Sequence, residues 1–222
     1  MNKIFLIVTA ALLFSAQVSC QSNQKNKEAE AMAQKNQEPI EVPSKDGLEH
    51  AYFASGCFWC VEAIYESVKG VEEAISGYSG GEAKNPTYRN HADHAEAVEV
   101  IYNPDTVSFA TLVDVYFGSQ NVTQVNGQGP DKGRSYRSIV FYQNDKQKKI
   151  IENKINELEK EVGEGEVAAQ VMPFQKFWKA EAYHQNYEKN NPDNPYIQNV
   201  SIPRLNRFKD KFPELLKDKA TH

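Results

Sequence analysis

The sequence predicts an α+β protein: a mixed, largely antiparallel sheet with helices packed on one of its faces. Three observations predict it. Segments of strand and helix periodicity alternate as β-α-β-β-α-β, an order that suits such a sheet. The helical segments gather their apolar residues on one stripe, as helices lying on a sheet do. Residues 119–135 form a long, glycine-rich connection, more than a simple linker needs, and such loops in compact domains are often functional.

Each element has its own signal. Glu49 to Ser55 reads as a strand. Cys57 to Val68 reads as a helix, with Val61, Ile64, Tyr65 and Val68 at helical spacing and Gly70 as the stop. Val71 to Tyr78 is a strand that runs into the turn Gly77-Tyr78-Ser79-Gly80-Gly81, and Ala83 to Asp93 is loop. Ala95 to Tyr102 alternates as a strand with one face inward, and Asn103-Pro104-Asp105 breaks it. Ser108 to Gly118 is a helix with Phe109, Leu112, Val113 and Tyr116 on one face. Tyr136 to Gln143 is a strand, Asp145 to Val162 a long amphipathic helix, and Val167 to Met172 a last strand. The tail has short helical pieces broken by Pro192, Pro195, Pro203 and Pro213. The expected architecture is a two-layer sandwich with a ferredoxin-like βαββαβ core, additional loops and a C-terminal extension.

The ends differ from the middle. Met1-Asn2-Lys3 and the short apolar run from Ile4 to Phe14 read as a secretory signal, too short to span a membrane. Val18-Ser19 before Cys20 is the small-residue pattern of a lipidated cysteine, although Gln17 stands where a bacterial lipobox usually has Leu. Gln21 to Gly47 is polar with almost no aromatics and cannot bury enough apolar surface to fold. The expected divisions are a signal peptide at 1–19, an anchor cysteine and disordered tether at 20–47, a catalytic domain at 48–205 and a tail at 206–222. An envelope protein on the periplasmic side of a bacterial membrane, held there by lipid on Cys20 and monomeric, is the reading that follows. The 222 residues carry 25 Lys and Arg against 30 Asp and Glu, a net charge of −5 with both signs interspersed. Without a basic stripe, nucleic acid is excluded as a partner.

The most informative stretch is Gly56-Cys57-Phe58-Trp59-Cys60. A thiol at a helix start faces the positive end of the dipole and unpaired N–H groups, which favour the nucleophilic thiolate. The flanking aromatics point to a small apolar pocket. The pair has three readings: a redox couple, half a metal site, or two inert buried cysteines. Tetrahedral zinc needs four ligands, and the one other cysteine, Cys20, lies in the leader. A disulfide closing so short a loop removes little chain entropy, so chemistry outweighs stapling.

Further segments follow in order: Gly77-Tyr78-Ser79-Gly80-Gly81, Asn85-Pro86-Thr87-Tyr88, His94-Ala95-Glu96, the run Gln128 to Ser138, and Tyr183-His184-Gln185-Asn186-Tyr187. Singly, Glu96 reads as a solvent-facing strand carboxylate, Tyr78 and Tyr136 as half-buried strand tyrosines, Phe58 and Trp59 as core, and His94 and His184 as structural imidazoles. Together, over residues 49 to 205, they resemble the A type of peptide methionine sulfoxide reductase. That resemblance implies reduction of the S epimer of methionine sulfoxide, free or in proteins. It implies Cys57 as the nucleophile and Glu96 as the acid that must be held protonated. It further implies Tyr78 and Tyr136 as donors to the sulfoxide oxygen, Asp131 as a carboxylate of the same pocket, and Phe58 and Trp59 as the wall around the substrate methyl. No prosthetic cofactor is implied; electrons come from an external thiol donor of thioredoxin kind.

The chain departs from the family pattern in three places. Cys60 stands where Gly is common, and the tail lacks the cysteines that often resolve the sulfenic acid, so Cys60 is the expected resolving thiol, the alternative being an external thiol that attacks the Cys57 sulfenic acid with Cys60 a bystander. Ser119 to Thr123 replaces a His-Asp-Pro-Thr stretch, and Ala92-Asp93 replaces Thr-Gly. Two other readings compete: a membrane-tethered thioredoxin-like thiol–disulfide oxidoreductase using Cys57 and Cys60 directly, and a binding lipoprotein with an inert thiol pair.

Overall fold

The computed structural model describes residues 37–91 and 93–218; the signal segment, Cys20, most of the tether and Ala92 lie outside them. Strand β1 (Glu49–Ala54) leads into helix α1 (Phe58–Glu66), then β2 (Val71–Ser79), β3 (Ala95–Tyr102) and α2 (Phe109–Gly118). A short hairpin, β4 (Gly127–Gln128) and β5 (Asp131–Lys132), precedes β6 (Ile139–Tyr142), α3 (Asp145–Val162) and β7 (Gln170–Pro173). The chain closes with β8 (Trp178–Lys179), the single turn α4 (Tyr187–Asn190) and α5 (Ile202–Lys211). Six strands form one sheet in the order β7-β6-β1-β3-β2-β8; β6 and β7 pair in parallel and every other neighbour pairs antiparallel. The molecule is an α+β protein with a mixed sheet.

Alternation along the strands divides the core. Ala51, Phe53, Val98, Val100 and Tyr102 face α1 and α2, where Val61, Ile64, Tyr65, Leu112 and Tyr116 meet them. Their neighbours Tyr52, Ala54, Ala95 and Ala97 face the other way and are equally buried. The expected strand with one inward face is therefore corrected at β3: chain following β7 covers the second face, with Tyr52 stacked on Phe174 at 3.8 Å. Helices start where small acceptors cap them. Ser108 Oγ accepts from Thr111 N–H and Asn144 Oδ1 from Gln147 N–H, both at 3.0 Å, each worth about 1 kcal/mol.

Three boundaries move. The strand expected from Tyr136 starts at Ile139, because Arg134–Tyr136 forms a 3₁₀ turn and Arg137 donates to the Gly80 and Asp93 carbonyls. The end of the supposed tether is not free: Ile40 N–H donates to Phe174 O at 2.8 Å and Val42 N–H to Gln143 Oε1 at 2.7 Å. Composition hid this, since two hydrogen bonds suffice to pin a polar run. Helix α5 crosses residue 205, and Phe208 is buried in the main core, so no structural break separates a tail at 206. Among the described residues no helix is long and apolar enough to cross a membrane.

Candidate active site

The site is built on the turn from β1 into α1. Gly56 has φ +75°, and a Cβ there would lie 2.6 Å from Gln128 Cβ, so glycine is required on both counts. Arg204 of α5 locks the turn: Nη1 donates to Ser55 O, Nη2 to Ser55 Oγ and Nε to Ser119 O, each at 2.9 Å. Cys57 then occupies the N-cap position of α1 without a side-chain capping bond. The first helical amide needs another acceptor. Glu96 on β3 supplies it: Phe58 N–H donates to Glu96 Oε2 at 3.0 Å, and this one bond ties the acid to the residue after Cys57.

Glu96 is 2 % exposed. Burial pushes its carboxyl up to about 8; the Phe58 N–H opposes this, and Asp131 and Cys60 add to it. The group therefore carries a proton at neutral pH. Cys57 behaves differently from the expectation drawn from the helix start. Its thiol is pushed well above the ordinary range, first by burial and then by Cys60 and Glu96. The amide that would have stabilised a thiolate is committed to Glu96. The two thiols lie close enough that each shifts the other's ionisation, and they titrate as a pair. Cys60 is lowered to about 7, chiefly by the hydrogen bond from Cys57, so the pair gives up one proton near neutrality and holds the other. Both cysteines are reduced and buried.

The predicted aromatic residues converge here. Tyr78 pairs with Glu96 across β2 and β3. Tyr136 lies close enough to Glu96 and Cys57 that their charges raise its phenol, after burial. Phe58 contacts Tyr78, Tyr88 and His184, with ring centroids 5.8, 6.3 and 5.0 Å away. Trp59 lies flat on Tyr187 at 3.7 Å and donates Nε1–H to His184 Nδ1 at 3.1 Å. Asp131 faces the thiols through Tyr196, whose hydroxyl donates to Asp131 Oδ2 at 2.6 Å and sits 3.7 Å from Cys60 Sγ. His94 is held by Gly81 N–H and the Ala83 carbonyl. Among the described residues no three His, Cys, Asp or Glu side chains are grouped to hold a metal.

Four residues of this site had no assigned role. Tyr196 bridges Asp131 and Cys60. Glu181 accepts from Tyr78 Oη–H and from Tyr88 N–H, both at 3.0 Å, so it orients both tyrosines. Tyr88 stands in a quoted motif, and its phenol is raised to about 12 by burial and then by Glu96 and Cys57. Arg204 lies in the tail. Of these, only Tyr88 and Glu181, two positions before Tyr183, carried a local signal.

A buried thiol pair at a helix start, facing a neutral carboxylic acid in an aromatic pocket, defines a thiol-dependent reductase. Residues 49–216 match the family model for peptide methionine sulfoxide reductase. The peptide methionine sulfoxide reductase MsrA of Pasteurella multocida is 43 % identical over 173 residues, 76 % of this chain and 99 % of that one. The MsrA of Saccharolobus solfataricus is 38 % identical over 77 % of this chain and 98 % of its own. Among solved structures, reduced Mxr1 of Saccharomyces cerevisiae superposes with a TM-score of 0.61 at 30 % identity, covering 69 % of this chain and 91 % of that chain. Methionine sulfoxide reductase A of Corynebacterium diphtheriae gives 0.60 at 29 %, covering 71 % and 83 %. The chain belongs to the peptide methionine sulfoxide reductase family, A type. It is an oxidoreductase of the kind that reduces methionine sulfoxide with electrons from thiols such as thioredoxin, without a prosthetic group.

Proposed function

We propose that this chain reduces the S epimer of methionine sulfoxide, free or in proteins, and that Cys57 and Cys60 carry both halves of the cycle. The observation that carries the reading is the Glu96–Phe58 hydrogen bond, which sets a protonated acid beside the thiol pair. Cys57 attacks the sulfoxide sulfur as a thiolate, and Glu96 protonates the oxygen, which is a poor leaving group until then. Tyr136 holds that oxygen, joined by Tyr78 once its hydroxyl turns from Glu181, to which it donates at 3.0 Å, and Phe58 and Trp59 accept the methyl group. Methionine leaves, and the oxygen ends on Cys57 as a sulfenic acid. Cys60 then attacks the Cys57 sulfur; a disulfide forms and the oxygen departs as water. A thioredoxin-like donor returns two electrons.

The closeness of the two thiols, each shifting the other's ionisation, supports Cys60 as the resolver. The exchange-only alternative is disfavoured by family membership, and it gives no work to the buried acid. We further propose that β6-β1-β3-β2 with α1 and α2 forms the ferredoxin-like core. The leader and Cys20 support an exported, lipid-anchored monomer that repairs oxidised envelope proteins.

The deciding experiment is Cys60→Ser. Pre-reduced parent enzyme is expected to yield one equivalent of methionine and a Cys57–Cys60 disulfide, while the variant yields the methionine and stops at the sulfenic acid. A variant that turns over repeatedly with a thioredoxin donor removes Cys60 from the cycle.

A further inference from the structure

Two of the departures from the family pattern meet in space. Cys60, which replaces Gly, and Ser119, Gln120 and Asn121, which lie in the replaced His-Asp-Pro-Thr stretch, line one cleft of about 740 Å³. Cys57 does not line it. The thiol pair thus has two sides: Cys57 lies among the aromatic residues, while Cys60 lines a cleft that it shares with Asp131.

The cleft has a consistent charge. Arg204, Arg207 and Lys211 of α5 line it, against a single carboxylate, Asp131, which already accepts from Tyr196. Arg204 is buried and three of its N–H groups are committed to Ser55 and Ser119, so its part in the cleft is chiefly its charge. Arg207 and Lys211 are exposed, one helical turn apart on the rim. Gln120 adds a spare donor. Its Oε1 accepts from Ser55, Gln128 and Ser138, and its buried Nε2 has no partner among the described residues.

We propose that this cleft admits a small thiol bearing carboxylates, which attacks Cys60 from within it. The inference rests on the Cys57–Cys60 disulfide of the preceding section. Cys60 is 2 % exposed but lines the cleft, so a thiol small enough to enter the cleft has a route to it that a protein donor gains only by rearrangement. The carboxylates pair with Arg207 and Lys211. The donor thiolate bonds to Cys60 Sγ, the Cys57–Cys60 bond breaks, and the electron pair leaves on Cys57, which takes up the donor's proton. A second donor thiolate attacks the donor sulfur of the mixed disulfide, forming the donor disulfide and releasing Cys60 as a thiolate. Two thiols are oxidised and one enzyme disulfide is reduced.

The probes are glutathione and its diethyl ester, the same thiol with both carboxylates capped. In steady-state reduction of a methionine sulfoxide peptide, the ester is expected to need a KM roughly tenfold higher than the acid. Arg207→Glu with Lys211→Glu is expected to shift the acid-to-ester KM ratio by about tenfold towards the ester, with added salt closing the gap in the parent. A second measurement avoids turnover. In Cys57→Ser, glutathione disulfide should modify Cys60, located by peptide mapping, and the rim reversal should slow that reaction. Equal KM values for acid and ester, an indifferent rim, or recycling by a protein dithiol alone overturns the proposal. A failure of the underlying reading is seen separately, as absence of the Cys57–Cys60 disulfide before any donor is added.

Discussion

Two carboxyl groups flank the start of α1, and both are 2 % exposed. Glu96 approaches from β3 and takes one backbone donor, the Phe58 amide. Glu62, on α1 itself, takes two: the Ser76 hydroxyl on β2 and the Asn186 amide in the loop after β8. Burial pushes Glu96 up to about 8 and Glu62 to about 7. The neighbours reinforce this division. Asp131 and Cys60 oppose ionisation of Glu96, whereas the two donors pull Glu62 back towards the carboxylate. Burial thus raises both carboxyls, and their partners separate the roles: Glu96 faces the thiol pair, while Glu62 clamps two donors of neighbouring elements.

The largest effect tests the acid. Glu96→Gln keeps an acceptor for Phe58 but has no proton to give. The rate should fall by about 10²–10⁴-fold with KM little changed. In the parent, activity should fall above about 8 as Glu96 ionises and below about 7 as the thiol pair takes up its second proton. Stability should carry the same signature. Glu96 is raised in the folded state, so its contribution is full below its ordinary value of 4.5 and is lost as pH rises through about 8. The variant should therefore gain on the parent across that window, by a few kcal/mol on the order expected for a buried carboxyl. Denaturant midpoints measured from pH 4 to 9 decide it: a constant difference means Glu96 ionises normally, and the comparison fails.

The next effect tests the clamp. Glu62→Ala leaves the Ser76 hydroxyl and the Asn186 amide without their acceptor, at a cost of about 2–4 kcal/mol. Asn186 is held at φ 53°, and the residues around it, His184 and Tyr187, pack against Trp59. The KM for methionine sulfoxide should rise several-fold while kcat drops less than tenfold. A kcat loss as large as that of Glu96→Gln would make Glu62 part of the chemistry and erase the distinction between the two sides.

Much of the chemical side could be read from the order of residues, because its parts lie in short motifs: Cys57 to Cys60, Tyr78, and His94-Ala95-Glu96. Strands β1 and β3 were legible as strands, β3 by its period of two, although the cover on its second face was not. What closes the site was not. Arg204 reaches Ser55 across 149 positions, and Tyr196 reaches Asp131 across 65, from a tail whose prolines hide its helices. Docking of the tether's end rests on one backbone bond, one bond to the Gln143 side chain and the packing of a single Val42, too little to mark a polar run as ordered. The Cys57 thiol went the other way from its motif: the helix start is present, but its first amide is committed to a residue 38 positions on.

The smallest effect joins the two sides. Trp59 meets Phe58 at 6.1 Å on the acid's side and stacks on Tyr187 in the loop that Glu62 holds. Its indole donates to His184 Nδ1, which fixes the proton on Nε2, and Nε2 has no partner among the described residues. Burial lowers the imidazole below its ordinary range, so the ring stays neutral. Trp59→Phe keeps an aromatic face for Tyr187 but deletes the one hydrogen bond that orients His184. The expected cost is about 1 kcal/mol, with KM raised two- to threefold. Its coupling to Glu62→Ala is the sharper test. Because both substitutions loosen the same loop, the double variant should lose less than the sum of the singles by at least about 0.5 kcal/mol. Strict additivity would mean that the clamp and the indole act on separate parts of the site, and that Glu62 steadies the loop without positioning the methyl pocket.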